Sequence, residues 1–587
     1  MSKRTLRIGA GCSADTTIAW PQMANFGELD YFIADYLYEA SVANFAAELQ
    51  YETGTGFAAE VAGPELEPCF RRFIEKGIKI ITNAGGLNPL GCAEALHAVT
   101  RRLGLEPKIA VVHGDAVLEL LADGAHDMFT GEPLPEDLIS ANAYFGAKPI
   151  AEALALGADI VITGRVVDSA MIVAPLMHEF GWAWDDYDRL GAATAIGHLL
   201  ECGPQPSGGI CTDWKDIDWS NTSFPIAECF DDGTAILTTV PGTGGRIDVG
   251  TTAEQILYEI NDPQRYYMPE VTCDLSELTL VQQASNRVLV SGARGYAPTS
   301  TYKVCCMQAQ GWRSVITGVI SGPEAEEKAR RTVDAVLVRM RRLATTAGFG
   351  EFLNTHFELI GSGASQGVHA LRHEAREIVY RVVVDHAERA AVEPLARVGR
   401  SSSVSMAPGT GALFSSSVAP LMRMYSTLVE KQRIPVLLAF EGETRRVEVP
   451  THGGFDSVSV KPHAPMPVAT AGAGTSVALV QLAWLRSGDK GSLSNIGVIA
   501  RRPEYLPWIK AALDCEAIRD WYAHLYENPL SARIECHELP GLHALNFLMY
   551  GALGGGAVSS PRFDPMGKGL AQQLIEFPVP VPEALLR

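Results

Sequence analysis

The architecture is set by the run Lys79-Ile80-Ile81-Thr82-Asn83-Ala84-Gly85-Gly86-Leu87-Asn88-Pro89. Ile78 to Ile81 is short, apolar and β-branched, which predicts a buried strand. Thr82 and Asn83 end it, a glycine pair follows, and Leu90 to Leu103 reads as a helix. A strand therefore runs through a glycine turn into a helix. At such a turn, backbone N–H groups and the positive end of the helix dipole point into one crevice. In open α/β sheets ligands bind in that crevice, at the carboxyl ends of the strands.

The same device recurs along the chain. Leu6 to Gly9 reads as a first strand, broken at Gly9-Ala10-Gly11-Cys12-Ser13-Ala14-Asp15. That run is not the G-x-G-x-x-G of a dinucleotide site, because position 14 is Ala and no strand ending in an acid follows at the required distance. Asp30 to Ala34 is a second strand that stops at Asp35, with a helix through about Gln50. Asp35 reads either as a helix-start acid favoured by the dipole or as an acid–base group. Lys108 to Asp115 is another apolar strand with polar residues, His113 among them, at its end. In Gly157 to Ser169 the strand ends in Thr163, a glycine follows at 164, and Arg165 and Asp168 precede a helix to Phe180. Strands alternating with helices predict an α/β fold with a mainly parallel sheet covered on both faces.

At 587 residues the chain has room for about three units of roughly 100–200 residues each. Apolar residues make up 47% and charged residues 20%, enough for a large core and too little charge for disorder. The net charge is −20, which excludes nucleic-acid binding as a main role because no basic footprint exists. The 11 cysteines are scattered, without a CxxC pair or metal-ligand spacing, and read as reduced thiols of a cytoplasmic protein. No metal is expected. The N-terminus enters a strand without the apolar core of a signal peptide, and no run of ~18 apolar residues predicts a membrane span.

Beyond residue 200 the texture changes. Gly203-Pro204-Gln205-Pro206-Ser207-Gly208-Gly209 and Val240-Pro241-Gly242-Thr243-Gly244-Gly245-Arg246-Ile247-Asp248 are glycine-dense loops, the second before a helix at Thr252–Glu259. Strands are predicted at Leu278–Val281, Arg287–Val290, Tyr302–Met307, Phe357–Ile360 and Arg376–Asp385, with helices at Glu324–Ala347 and His386–Val398. Ser401 to Ser417 is rich in small residues and reads as a junction. Residues 1–465 then form a main α/β domain, with a subdivision near 200–270. A Pro/Gly/Ala-rich linker spans 466–476, and 477–587 forms a small α+β unit. In that unit Arg486-Ser487-Gly488-Asp489-Lys490-Gly491 reads as a polar turn between two strands.

No G-x-S-x-G elbow, H-E-x-x-H pair or P-loop is present. Cys12, after a glycine turn, is a nucleophile only if a helix N-terminus lowers its pKa. The candidates that remain sit past the apolar strands. Asn83 and Thr163 can hydrogen-bond a carbonyl or carboxylate, with Gly85, Gly86 and Gly164 beside them. Arg165 can hold an anion in bidentate geometry. Asp168 and Asp15 are candidate proton carriers, and His113 and His198 candidate bases. Gly244 and Arg246 read as a backbone nest for an anion. Arg486 and Lys490 place two cations around one turn.

Ile81-Thr82-Asn83-Ala84-Gly85-Gly86-Leu87-Asn88-Pro89, Thr163-Gly164-Arg165-Val166-Val167-Asp168, Pro241-Gly242-Thr243-Gly244-Gly245 and Leu485-Arg486-Ser487-Gly488-Asp489-Lys490-Gly491 with Asn495-Ile496-Gly497 resemble the acyclic terpene utilisation family AtuA. The resemblance covers nearly the whole chain and implies a small C-terminal domain of ferredoxin-like character. It implies a place in the catabolism of citronellol- and geraniol-type branched compounds, which proceeds through CoA thioesters. It transfers no catalytic residue. The residues and the resemblance together predict an enzyme acting on a branched acyl-CoA or carboxylate, by hydration/dehydration or carbon–carbon lyase chemistry. It needs no resident cofactor, coenzyme A entering as part of the substrate. The alternative is a non-catalytic acyl-CoA-binding or assembly component. A homo-oligomer is expected, with no nucleic-acid or membrane partner.

Overall fold

Parallel strands hold the centre of the molecule. The computed structural model describes residues 4–52, 54–121, 124–370, 375–470 and 474–586. Five of them, β1 (Thr5–Cys12), β2 (Tyr31–Asp35), β3 (Lys79–Thr82), β4 (Ile109–His113) and β6 (Ile160–Thr163), lie in the order β1-β2-β3-β6-β4, all parallel. Antiparallel strands extend the sheet past β1 (Pro225–Phe230, Ala235–Thr239, Arg287–Ser291, Thr279–Ala284) and past β4 (Leu437–Phe440, Glu443–Arg446). β5 (Leu138–Ala143) leaves this sheet and pairs with the long strand Thr301–Ser321.

Both faces of the parallel strands are buried, which is why Ile80, Ile81, Ile160, Val161 and Ile162 read as unbroken apolar runs. On one face, α1 (Thr16–Phe26), α3 (Glu67–Lys76) and α4 (Pro89–Arg102) pack Trp20, Phe70, Phe73 and Leu96 against Phe32, Ile80 and Ile162. Between α1 and α3 in the chain lies α2 (Glu39–Glu48). On the other face α5 (Lys148–Ala155), α6 (Ala170–Phe180) and α7 (Tyr187–Leu200) pack Ile150, Met171 and Leu190 against Ile33, Ile81 and Val161. α8 (Val249–Ile256) follows the second glycine-dense loop, capped by Asp248.

A second sheet joins Asn354–Ile360, Glu377–His386, Thr301–Ser321 and Thr410–Glu430 under the helix Ala325–Ala347. The C-terminal unit has its own core and an antiparallel sheet of Ala483–Lys490, Leu493–Ala500, Ala544–Met549 and Ile534–Leu539. Of the expected linker, residues 471–473 lie outside the described residues. Met466 is buried in the core of the small unit and its N–H donates to Glu538 at 2.9 Å. Among the described residues no helix is long and apolar enough to cross a membrane. All 11 cysteines are free thiols.

The small-residue run at Ser401–Ser417 is a junction as expected, from the helical turn Ser402–Ser405 into a strand that begins at Thr410. Two local expectations are corrected. The helix expected over His386–Val398 is two, Arg389–Val392 and Pro394–Arg400, because Pro394 has no N–H to continue the first. Arg486 to Lys490 lie inside a strand rather than in a turn, and the turn begins at Gly491, whose φ is +59°.

Gly85 shows why a glycine closes β3. A Cβ there would lie 2.4 Å from the Thr163 carbonyl oxygen and 2.8 Å from Pro89 Cα, backbone that cannot swing away. Gly85→Ala should therefore destabilise the protein by about 1–3 kcal/mol through overpacking. Gly350→Ala, whose Cβ meets nothing within 4 Å, is the control and should leave the melting temperature unchanged. Equal melting temperatures for the two variants would show that the strand ends are not tightly packed.

Candidate functional site

Register brings the site together. Ala34 stands opposite Thr82, and Thr82 opposite Ile162, so the next residues along the strands, Asp35, Asn83 and Thr163, emerge abreast at the carboxyl edge. Asn83 is fully buried, and its Oδ1 accepts the Tyr36 N–H at 2.6 Å. That bond fixes the amide's orientation, so Nδ2 faces the crevice and donates to Asp35 Oδ1 at 2.6 Å and to Asp168 Oδ1 at 3.3 Å. One amide therefore bridges two carboxylates. Asp35 also accepts the Leu37 N–H at 3.0 Å.

Arg165 is held beneath this pair. Its guanidinium donates to the Leu37 carbonyl (2.6 Å) and the Tyr144 hydroxyl (3.0 Å), lies 4.2 Å from the Tyr144 ring centre, and approaches Asp168 at 3.9 Å. Its Nε is buried without a partner. Its backbone N–H donates to Asp115, which also takes the Asn142 amide at 2.8 Å. Gly164 makes this possible, since a Cβ there would lie 2.3 Å from Asp115 Oδ1.

The far wall comes from elements distant in sequence. Glu201 and Cys202 follow α7, and Glu259 follows α8 with φ +58°. The small unit supplies Lys490, which pairs with Glu259, and Lys568, which donates to the Tyr258 hydroxyl at 2.6 Å. The turn is pinned by the Gly491 N–H on the Glu39 carboxylate (3.1 and 3.2 Å) and by Asn495, which accepts the Glu259 N–H and donates to the Leu257 carbonyl. Asp168, Glu201, Glu259 and Lys490 keep 24, 13, 18 and 37% of their side-chain surface, so they border accessible space within the crevice. The fields of Asp35, Glu201 and Lys490 all reach Asp168.

Burial and like charge shift these carboxyls. Burial pushes Asp35 up to about 6, against the pull of the Asn83 and Leu37 hydrogen bonds. Burial, and then the charge of Asp35, hold Asp168 well above the usual carboxylate range, against Arg165. Both carboxyls are thus held above the usual carboxylate range while sharing one amide donor. Asp489 is pushed up to about 8 by burial and by Glu259 and Glu39.

Other expected residues fall elsewhere. Among the described residues no hydrogen bond or ion pair joins Asp15, His113, Gly244 or Arg246 to the Asp35–Asn83–Asp168 group. Asp15 is half-buried beside Cys12, at the start of α1. Cys12 itself is pushed up to about 11 by burial and by Asp35, so the conditional thiolate nucleophile is not formed. His113 is half-buried with Nε2 unpartnered, and burial lowers its pKa. His198 is buried against Glu201 at 2.8 Å. Arg246 pairs with Asp248 at 2.9 Å, and the Gly244 N–H is taken by the Asn221 carbonyl. Gly86 packs against the Gly56 carbonyl and Phe45. Arg486 locks the 205–210 loop through Gln205 and the Ile210 carbonyl. Glu201, Glu259 and Lys568 carry no local signal, because only the tertiary fold brings them to the crevice.

Comparison with protein-family models matches the acyclic terpene utilisation family protein AtuA over residues 6–440 and the AtuA ferredoxin-like domain over 477–580. The chain belongs to the AtuA family. Searches of curated proteins and of solved structures return no match. The hollow of this AtuA member is walled by both matched regions, since Asp35, Asn83, Asp168, Glu201 and Glu259 lie in the first and Lys490 in the second.

Because folding raises the Asp35 pKa, the stability it contributes is fully present below its ordinary 3.8 and is lost as pH rises through about 6. Asp35→Asn should therefore match the wild type near pH 4 and exceed it above about pH 7, by ~3 kcal/mol at most. Melting curves at the two pH values measure this. A difference independent of pH would show that Asp35 titrates normally.

Proposed function

We propose that this hollow is the catalytic centre of an enzyme of acyclic terpenoid or branched-chain breakdown. It would act on an acyl-CoA or carboxylate intermediate by proton transfer next to a carbonyl. What carries this reading is the buried Asp35–Asn83–Asp168 bridge, two carboxyls on one amide donor and both raised above the usual carboxylate range. Enzymes set general acids and bases near working pH in this way, by burial and like charge.

In a hydration/dehydration cycle, ionised Asp35 takes the proton from the carbon beside the carbonyl. Protonated Asp168 delivers its proton to the departing hydroxyl, which leaves as water. The reverse sequence hydrates the double bond. Negative charge developing on the carbonyl oxygen is met by Lys490, which keeps accessible surface and whose charge reaches Asp168. Arg165 supports this reading as a positioning residue, because Leu37 and Tyr144 occupy its terminal nitrogens and fix the height of Asp168. The acidic walls suit a neutral reacting group, so the anionic part of the substrate would remain outside the hollow. Carbon–carbon cleavage beside a carbonyl uses the same proton carriers.

The test begins with a deletion strain grown on a branched acyclic terpenoid alcohol, in which the compound that accumulates names the step. With that compound in hand, Asp168→Asn should lower kcat by about 10²–10⁴-fold while substrate binding persists. The wild-type rate should rise through pH about 6 as Asp35 ionises. Unchanged pathway flux in Asp35→Asn and Asp168→Asn strains would overturn the catalytic reading in favour of a binding component.

A further inference from the structure

The strand Thr410–Glu430 forms one edge of the second sheet, with Thr301–Ser321 on its inner side. Its parity is fixed at two points. Ser426 turns its N–H to Asp127 and its carbonyl to the Met128 N–H, away from the sheet. The Leu353 N–H donates to Asp385, so His386 and Val384, and with them Trp312 and Ser314, face each other across the inner pairing. In antiparallel ladders the direction alternates residue by residue. The main-chain groups of Phe414, Ser416 and Val418 therefore point outward. Among the described residues nothing hydrogen-bonds them. Further along, Met422 and Met424 pack against Val558, so the open edge is confined to the stretch before Leu421.

Pro420, which has no N–H to offer, ends the open edge, and from Leu413 to Ala419 no charge blunts it. No Asp, Glu, Lys or Arg occurs from Ser401 to Met422, in a chain that is 20% charged. Leu413 is 73% exposed, and Ser415, Ser416, Ser417 and Ala419 are exposed as well. The polarity of Leu413-Phe414-Ser415-Ser416-Ser417-Val418-Ala419 also reads the same from either end.

We infer that this edge pairs with the same edge of a second copy of the chain, antiparallel, about a two-fold axis through Ser416. In that register Phe414 faces Val418 of the second copy, Ser416 faces Ser416, Ser415 faces Ser417 and Leu413 faces Ala419. Apolar residues meet apolar ones and serines meet serines, and every outward N–H finds a carbonyl. The pairing closes on itself, as a two-fold requires. Charge favours this occupant too: two chains of −20 each repel, and the uncharged run offers a surface where they can meet. The inference is independent of the chemistry proposed above.

Light scattering on the eluting full-length protein at micromolar concentration should give about twice 63.1 kDa. Ser416→Lys and Ser416→Glu each place like charges directly opposite one another and should each elute as folded monomers, with the wild-type circular dichroism spectrum. An equimolar mixture of the two should return to a dimer. A monomeric wild type, or an oligomer that both variants leave intact, would overturn the inference. So would monomeric variants that fail to recombine when mixed.

Discussion

Strand register is the constraint on which the site depends. Ala34, Thr82 and Ile162 stand in line across three parallel strands, and that alignment lets one amide, Asn83, reach two carboxylates. A slip of one residue would turn Asn83 into the packed faces and leave Asp35 and Asp168 without a shared donor. Register is in turn fixed by burial on both sides, since Ile80, Ile81, Ile160 and Val161 have no exposed face to slide onto. Hydrophobic packing thus sets the spacing of the charges.

Fixed in this way, the charges set one another's protonation. Asp168 is raised by burial and by Asp35, and Glu201 adds to it. Arg165 offsets part of that rise, but its guanidinium is largely committed to a carbonyl and a phenol. Lys490 arrives from another unit and adds a second counter-charge after Arg165. Two parts of the chain therefore share one electrostatic balance.

The parallel core was legible because its signals are local. Ile78–Ile81, Lys108–Asp115 and Gly157–Thr163 are apolar runs ended by polar residues, and the strands lie within or beside those bounds. Asn83, Arg165 and Asp168 were legible for the same reason, each standing just past a strand, and Thr163 ends one. Glu201 and Glu259 were not, because both follow helices whose sequences look ordinary and only the tertiary path brings them inward. The glycine loops misled in a different way. Gly85 and Gly244 mark close packing, and the Gly244 N–H is already used within the fold. Glycine density signals tight backbone approach, and ligand contact is only one cause of it. The long edge strand beginning at Thr410 was hidden by its serines, whose β propensity is low although their lack of charge suits an edge.

The Lys490–Glu259 pair and the Gly491–Glu39 contact tie the ferredoxin-like unit to the floor of the main domain. A chain ended at residue 440 would keep its parallel strands but leave Glu259 without the Lys490 counter-charge. Its hollow would then be a cleft open to bulk water. The C-terminal unit is thus a wall of the chamber, and the two matched regions meet there through Lys490 and Gly491.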